Sequence, residues 1–324
     1  MNNGNLVEEP EVYTDEEVPV NKKEQSKLKI VFNFIGLLVI CLAIGLLWNY
    51  VPAFKATFTD VSPTFYYFLI AGFIFAMIDG AIGMSYGVTS TAFSISMGIP
   101  PASASTAVHL SEILSNGIAG LMHYRMGNVN KKLFWLLVVP GIIGSVSGAY
   151  ILSSLEHYSK YTKPVVSVYT LILGIVILRK AYAMIQKNKK TAKTDAAANG
   201  GKIKNIRALG LFGGFIDAVG GGGWGSIVLS TLIAGGRHAR FSLGAVKASR
   251  FFVAFMSSLT FITMLEHLHW DAIGGLILGS AVASPIAAKV ANRISAKSIM
   301  VAVGIIVILV SLRSIIKFIL PYLQ

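Results

Sequence analysis

The sequence predicts an all-α polytopic membrane protein of two inverted repeats, each a broken-helix hairpin plus three transmembrane helices, preceded by one extra N-terminal helix. Three observations predict it. The chain is 54% hydrophobic and 13% charged, whereas a soluble domain is about a quarter charged. Several apolar stretches are long enough to cross ~30 Å of hydrocarbon as helices. Residues 72–112 align without a gap with residues 210–250, at a constant offset of 138.

A tail and one helix precede the repeats. Residues 1–27 are acidic, then basic, with few apolar side chains, which predicts a disordered cytoplasmic tail. Residues 28–51 predict a transmembrane helix rather than a removed signal, because the sequence shows no small-residue cleavage site. The single Cys41 lies in this helix, so the sequence predicts no disulfide, zinc site or haem site.

The two repeats are predicted to span residues 64–185 and 206–320, and a basic cytoplasmic linker over 186–205 joins them. Each copy is apolar but interrupted by glycine. Glycine-broken segments at matching positions of two halves indicate a transporter's binding site. The recurring residues include an acid, two glycines and an aromatic, in the pairs Asp79 and Asp217, Gly83 and Gly221, Gly87 and Gly225, and Tyr86 and Trp224.

The distribution of Lys and Arg favours hairpins that enter and leave the membrane on one side. If all nine apolar stretches crossed, the best orientation would place 15 of these residues inside and 11 outside. With hairpins over 64–98 and 206–235 the split becomes 21 inside to 5 outside, as short cytoplasmic loops require. This predicts a cytoplasmic N-terminus and an external C-terminus. Each repeat then has three crossing helices. Because three is an odd number, the second repeat begins on the opposite side of the membrane from the first. The repeats are therefore inverted, and the hairpin tips meet near the bilayer centre.

The hairpin tips, Gly83–Gly87 and Gly220–Gly225, are candidates for an anion site. Each tip is the N-terminus of a half-helix, where unpaired N–H groups and the helix dipole favour an anion. The alternative is that the glycines only permit close helix packing. The predicted substrate-binding residues are Gly83, Ser85, Tyr86, Gly87, Gly221, Gly222, Gly223, Trp224, Gly225, Lys247 and Arg250.

Ionisable residues inside predicted membrane helices form a second group. His109 and Glu112 align with Lys247 and Arg250, and the i, i+3 spacing places each pair on one helix face. Such groups normally face the protein interior, where they pair or serve transport. Two interpretations are open, and both can hold at once. In one, Glu112 and Arg250 form a structural pair; in the other, Lys247 or Arg250 attracts the anion while His109 or Glu112 handles a proton.

The repeated acids Asp79 and Asp217 have three alternative roles: capping the broken backbone, binding a cation, or carrying a proton. The predicted coupling or gating residues are therefore Asp79, Asp217, His109 and Glu112.

Over about residues 64–320 the chain resembles the sulfite exporter TauE/SafE family. The resemblance rests on the glycine-broken segments and on three further motifs, which are Gly98-Ile99-Pro100-Pro101, Tyr124-Arg125-Met126-Gly127-Asn128-Val129, and the helix glycines Gly141, Gly144 and Gly148. The second half repeats the pattern with Gly221-Gly222-Gly223, whereas the first has Ile82-Gly83-Met84-Ser85 in place of a full glycine run. The resemblance implies a transporter of sulfite, sulfonates or related organosulfur anions.

The predicted function is therefore a secondary transporter, an exporter of a small anion, in the plasma membrane. The sequence has no phosphate-binding loop for ATP, and we expect no cofactor, no metal and no enzymatic activity. The alternatives are an anion channel, an intramembrane enzyme and a scaffold. The expected partners are the anionic substrate and the lipid bilayer, and a homo-oligomer is compatible with the sequence. The net charge of +13 reflects short basic loops rather than a nucleic-acid partner.

Overall fold

The computed structural model describes residues 62–190, 205–290 and 296–320, and the single positions 39, 42, 46 and 51. The predicted tail over 1–27, nearly all of the predicted helix over 28–51 and most of the linker over 186–205 lie outside the described residues. The chain separates into two compact units, Met1–Thr59 and Asp60–Gln324. The fold and the site described below belong to the second unit.

The described part of the second unit is helical and contains no strand. Its helices are α1 (Pro63–Ile82), α2 (Tyr86–Ser96), α3 (Pro101–Arg125), α4 (Lys131–Ser154), α5 (Ser159–Lys190), α6 (Ile206–Gly220), α7 (Trp224–Ala234), α8 (Ala239–Met264), α9 (Trp270–Val290) and α10 (Ala296–Ile319). Helix α7 is π-helical over Trp224–Leu229, a rare geometry that is frequent at functional sites.

Five segments of the described residues are long and apolar enough to cross a membrane. They are Pro63–Gly80, Lys131–Ser154, Glu156–Ala183, Ala239–Met264 and Ser298–Ile319. Helix α3 has 25 residues, but buried Ser, Thr, His, Glu and Asn side chains lower its hydropathy. The predicted all-α polytopic membrane fold is confirmed. Of the six helices that the sequence predicts to cross, α4, α5, α8 and α10 contain one of these segments, whereas α3 and α9 do not; the remaining segment lies in α1, the first arm of a predicted hairpin.

Helices of each half pack on helices of the other half, and the contacts in one direction correspond to those in the other. Helix α1 packs on α9 as α6 packs on α4, and α3 packs on α9 as α8 packs on α4. Two further pairs, α3 with α8 and α5 with α10, join equivalent helices. Because α3 and α8 carry the predicted ionisable pairs, this arrangement brings those pairs together between the halves.

Glycines in the long helices let backbones approach closely. A Cβ added at Gly214 of α6 would collide with the Gly141 carbonyl of α4, and one at Gly279 of α9 would lie 3.1 Å from the Gly72 carbonyl carbon of α1. Gly279 is the counterpart of Gly141 at the offset of 138. For these helix glycines, close packing is the sufficient explanation.

The predicted hairpins are α1 with α2 and α6 with α7, and both break at the predicted glycines. Gly83 and Gly221 each end the first arm in the left-handed conformation, with φ of 74° and 64°, which glycine adopts without steric cost. The arm after the tip has 11 residues in α2, within the predicted length of a half-helix. The first arms differ, because α1 has 20 residues and α6 has 15.

Candidate functional site

The first tip is organised by the carboxylate of Asp79. After Gly83 ends α1, the chain turns back toward the acid. Asp79 Oδ1 accepts hydrogen bonds from the backbone nitrogens of Ser85 and Tyr86, at 2.9 and 3.2 Å. These are among the N–H groups that a helix start leaves without an intrahelical partner. Asp79 therefore caps the broken backbone.

The second tip repeats this arrangement with Asp217. Its Oδ1 accepts hydrogen bonds from the backbone nitrogens of Gly223 and Trp224, at 2.7 and 2.8 Å. The donors lie six and seven residues after the acid, as they do in the first half. The capping role, one of three alternatives for the repeated acids, is thus present at both tips.

Each capping acid also binds a base from the other half through its second oxygen. Asp79 Oδ2 lies 2.7 Å from Lys247 Nζ, and Asp217 Oδ2 lies 3.3 Å from His109 Nε2. Lys247 is the counterpart of His109 at the offset of 138, so the two pairs are equivalent. Lys247 was predicted only as an anion ligand, whereas in the structure it also has a carboxylate partner.

The predicted pairing of Glu112 with Arg250 is confirmed. The guanidinium contacts both carboxylate oxygens, with Nε 2.9 Å from Oε2 and Nη2 2.6 Å from Oε1. Arg250 Nη1 also lies 3.1 Å from Asp217 Oδ1. Glu112 and Arg250 are 2% and 5% exposed. A bidentate, buried pair of this kind is strong in its geometry and costly to break.

The two tips are in direct contact, as the sequence predicts. Thr91 Oγ1 of α2 donates a hydrogen bond of 2.8 Å to the Gly221 carbonyl oxygen. The Tyr169 hydroxyl of α5 donates one of 2.7 Å to the Gly222 carbonyl oxygen. A Cβ added at Gly222 would collide with the backbone of Gly87. The carbonyl groups of the second tip are therefore held by hydroxyl groups from the first repeat.

A small cavity lies between the tips, and most of the predicted site residues line it. They are Asp79, Gly83, Ser85, Tyr86, Gly87, Glu112, Gly222, Gly223, Gly225, Lys247 and Arg250. The cavity has a volume of about 20 Å³, on a scale where one buried water needs roughly 10–15 Å³. In this conformation it has room for one or two water molecules.

Four predicted residues lie behind the cavity wall instead of lining it. Gly221 forms the left-handed end of α6, and Trp224 is fully buried in the core beside Gly141, with Nε1 bonded to the Val246 carbonyl oxygen at 3.2 Å. Asp217 and His109 are both 0% exposed. These residues support the tip rather than face the cavity.

Two polar side chains that line the cavity have an atom without a hydrogen-bond partner among the described residues. They are Ser85 Oγ and Asn116 Oδ1, on side chains from residues that are 1% and 3% exposed. A buried polar atom is nearly always satisfied, so these two atoms indicate that a polar ligand or water belongs in the cavity. Ser85 was a predicted site residue, whereas Asn116 was not.

Sequence reasoning missed three residues around the tips. Asn116 had a usable signal, because it lies four residues after Glu112 and therefore on the same helix face. Tyr169 and Lys180 of α5 had none. The Lys180 ammonium, half-buried, lies 3.3 Å from the carbonyl oxygen of Ser226, which lines the cavity. Their closeness to the tip depends on how α5 packs.

Potential metal ligands also meet at this site. His109, Glu112 and Asp217 each offer one ligand atom, and these three atoms lie within 4.8 Å of one another. Arg250 already supplies a positive charge to Glu112 and Asp217, and Asp217 Oδ1 is further occupied by two backbone N–H groups. The arrangement is accounted for by an ion-pair network centred on Arg250.

Comparisons with known proteins agree with this architecture. A model of the sulfite exporter TauE/SafE family matches residues 68–314. Over 253 residues the chain is 36% identical to a protein of Bacillus subtilis (strain 168) named "Probable membrane transporter protein YtnM", and the match covers 77% of this chain and 82% of that protein. No solved structure matches the chain. The family match spans well over half of the sequence, and the resemblance seen in its motifs is confirmed. This chain belongs to the sulfite exporter TauE/SafE family.

Proposed function

We propose that this multi-pass membrane transporter is a secondary carrier that exports a small sulfur oxyanion, sulfite or a sulfonate, across the plasma membrane. The observation that carries the proposal is the cavity between the tips. It combines two half-helix starts with Lys247, Arg250 and the unpaired hydroxyl of Ser85. Family membership supports transport of a sulfur compound, and the chemistry of the cavity supports an anion.

The hydrogen-bond donors around the cavity suit an oxyanion, in which several oxygens are bonded to one central atom. Asp79 takes the N–H groups of Ser85 and Tyr86, and the next two residues of α2, Gly87 and Val88, also line the cavity. A helix start presents such N–H groups to an anion together with the positive end of its dipole. Ser85 Oγ adds a hydroxyl donor from the same tip.

Binding requires the cavity to expand. A volume of about 20 Å³ admits one or two waters and is too small for sulfite. The Lys247–Asp79 pair is the most accessible of the ion pairs, with side chains 13% and 17% exposed. In the proposed cycle Lys247 turns from Asp79 to the anion as the tips separate. The need to open distinguishes a carrier from a permanently open channel.

Flux into proteoliposomes tests the proposed function. Purified protein is reconstituted, and uptake of radiolabelled sulfite, methanesulfonate and sulfate is measured against protein-free vesicles. A carrier of sulfur oxyanions should give saturable uptake of sulfite or methanesulfonate. Uptake that rises linearly without saturation would support an anion channel, and no uptake of any of the three would refute the proposal.

Lys247→Ala should weaken anion binding. The substitution removes one charge-assisted hydrogen bond, worth about 1.5–3 kcal/mol, so KM for the transported anion should rise about tenfold or more. Arg240→Ala is the matched control, because Arg240 lies on the same helix but binds Asn128 at 2.5 Å instead of lining the cavity. An unchanged KM in a well-expressed Lys247→Ala protein would remove Lys247 from the site.

The proposed orientation places the linker inside and the loop before α5 outside. On a Cys41→Ser background, Asp195→Cys in intact cells should resist a membrane-impermeant thiol reagent. Leu155→Cys, in the loop before α5 and 40% exposed, should react with the same reagent. This pattern is expected from the 21-to-5 division of basic residues. Labelling at position 195 from outside would disprove the hairpin topology.

A further inference from the structure

Both ring nitrogens of His109 face hydrogen-bond acceptors. Nδ1 lies 2.7 Å from the Ser105 carbonyl oxygen, and a carbonyl can only accept, so Nδ1 carries a hydrogen. The Ser105 hydroxyl, 3.2 Å from Nδ1, donates its own hydrogen to the Ala218 carbonyl at 2.6 Å. On the other side, Nε2 lies 3.3 Å from Asp217 Oδ2.

A contact between Nε2 and a carboxylate oxygen needs a proton between them, because both atoms would otherwise present lone pairs. Whether that proton is assigned to His109 or to Asp217, the pair holds one proton more than a neutral imidazole and a carboxylate would. In the equivalent pair of the other half, Lys247 takes the place of His109 and contacts Asp79. Histidine is the side chain that exchanges a proton near neutral pH.

The proton sets the charge of the buried ion-pair network. In this network three acids, Asp79, Glu112 and Asp217, pair with Lys247, Arg250 and His109. The charged groups that face His109 are Asp217 from α6, Glu112 from its own helix α3 and Arg250 from α8, and the Phe261 ring of α8 lies 6.0 Å from the imidazole. Without the proton the network carries one more negative charge, which disfavours an entering anion in a medium of low dielectric.

A proton is also a positive charge that can accompany the anion without occupying space in the cavity. The cavity has about 20 Å³, room for one or two waters, so a hydrated metal cation beside the anion would need a much larger expansion. A proton shared by two side chains already in contact needs no additional volume. The pair lies directly behind Arg250, which lines the cavity.

We propose that transport is coupled to protons, with one proton held between His109 Nε2 and Asp217 Oδ2 accompanying each anion. The proton is taken up from water on the side where the anion enters and returned to water on the side where it leaves. For an anion of charge −1 the cycle is then electrically neutral. This inference rests on the proposed function, because it concerns the same transported anion.

The test measures accumulation driven by a pH difference. Proteoliposomes are clamped at zero potential with potassium and valinomycin, and the probe is methanesulfonate, whose charge is constant around neutral pH; sulfite replaces it if only sulfite is carried. A gradient of one pH unit, acid outside, should produce about tenfold accumulation in wild-type vesicles, since one unit corresponds to 1.36 kcal/mol. A potential without a pH gradient should produce no accumulation of methanesulfonate.

Variants at position 109 test whether the coupled proton is held between His109 and Asp217. His109→Lys reproduces the lysine–aspartate pair of the other half, and it should transport the anion without accumulation driven by pH. His109→Gln, which cannot carry the proton either, should also lose that accumulation if the lysine variant does not fold. His123→Gln is the matched control, a histidine at the far end of the same helix, and it should keep the accumulation.

The outcomes separate the two proposals. No transport of either probe by the wild type refutes the proposed function. Transport by the wild type without accumulation on a pH gradient refutes proton coupling and leaves the function standing. Coupling that survives in both folded His109 variants refutes the assignment of the proton to this pair.

Discussion

Removing either partner of the buried pair between α3 and α8 should strongly destabilise the protein. In Glu112→Gln the guanidinium of Arg250 loses both oxygens of the Glu112 carboxylate and keeps only Asp217, and in Arg250→Gln the carboxylates of Glu112 and Asp217 lose the guanidinium that lies between them. Leaving one charge of a buried pair uncompensated costs about 3–5 kcal/mol. We expect a large fall in the melting temperature in detergent and little functional protein in the membrane.

Charge reversal tests whether the ion pair as a whole, and not either charge alone, stabilises the protein. The single reversals Glu112→Arg and Arg250→Glu each bury two like charges, so they should melt below the neutral variants. The double swap should melt above both single reversals, because the pair is restored with opposite polarity. It should stay below the wild type, since the carboxylate introduced at position 250 would lie beside Asp217. Arg179→Gln, at an exposed position on α5, is the control and should melt like the wild type.

A double swap that melts no higher than the single reversals would show that the ion pair does not hold the two helices together. Arg250 would then stand with Lys247 as an anion ligand. The melting curves are measured on the same detergent preparations by intrinsic fluorescence, so that expression differences do not enter the comparison.

The second large effect is expected from Gly222→Ala, the smallest side chain that can be added at the contact between the tips. Its Cβ would collide with the backbone of Gly87 and Val88, which neither tip can avoid without moving. Overpacking of this kind costs about 1–3 kcal/mol. Because the collision lies at the proposed site, we expect transport to fall at least tenfold while the protein still reaches the membrane.

Gly274→Ala is the control for this substitution. A Cβ at Gly274 of α9 would make an ordinary contact of 3.4 Å with the Phe65 ring, so folding and transport should be close to those of the wild type. The reason for the effect at Gly222 is this contact and not backbone strain, since the left-handed glycine of the second tip is Gly221. Normal transport by Gly222→Ala would disprove the contact between the tips as part of the site.

Much of the fold could be predicted because it depends on local and periodic properties. The apolar stretches predicted an all-helical membrane protein, and the glycines at 83 and 221 predicted where α1 and α6 end. The linker and the extra helix stay predictions, and so do the inverted orientation and the location of the termini. The arm lengths were less predictable, because a helix of 20 residues and one of 15 both fit an apolar stretch before a glycine.

The pairing of charges was predictable only in part. Glu112 and Arg250 occupy corresponding positions of the two repeats. Their helices, α3 and α8, also correspond, and they pack on each other near the axis that relates the two halves. Corresponding positions on these two helices therefore come together. Asp79 and Lys247 are not equivalent, and they lie 168 residues apart in the chain. No spacing rule joins them, so their contact depends on how α1 and α8 are placed around the tips.

The gapless repeat at an offset of 138 is enough to identify which residues of one half correspond to which of the other, because it carries the same local backbone into both halves. That correspondence includes the capping acids and the left-handed glycines. The partners of the charged residues are visible only in the folded protein, since Lys247 contacts Asp79, His109 contacts Asp217 and Arg250 joins two acids through contacts between helices. Capping acts over six or seven residues of one chain segment, whereas an ion pair forms wherever packing brings opposite charges within a few ångströms.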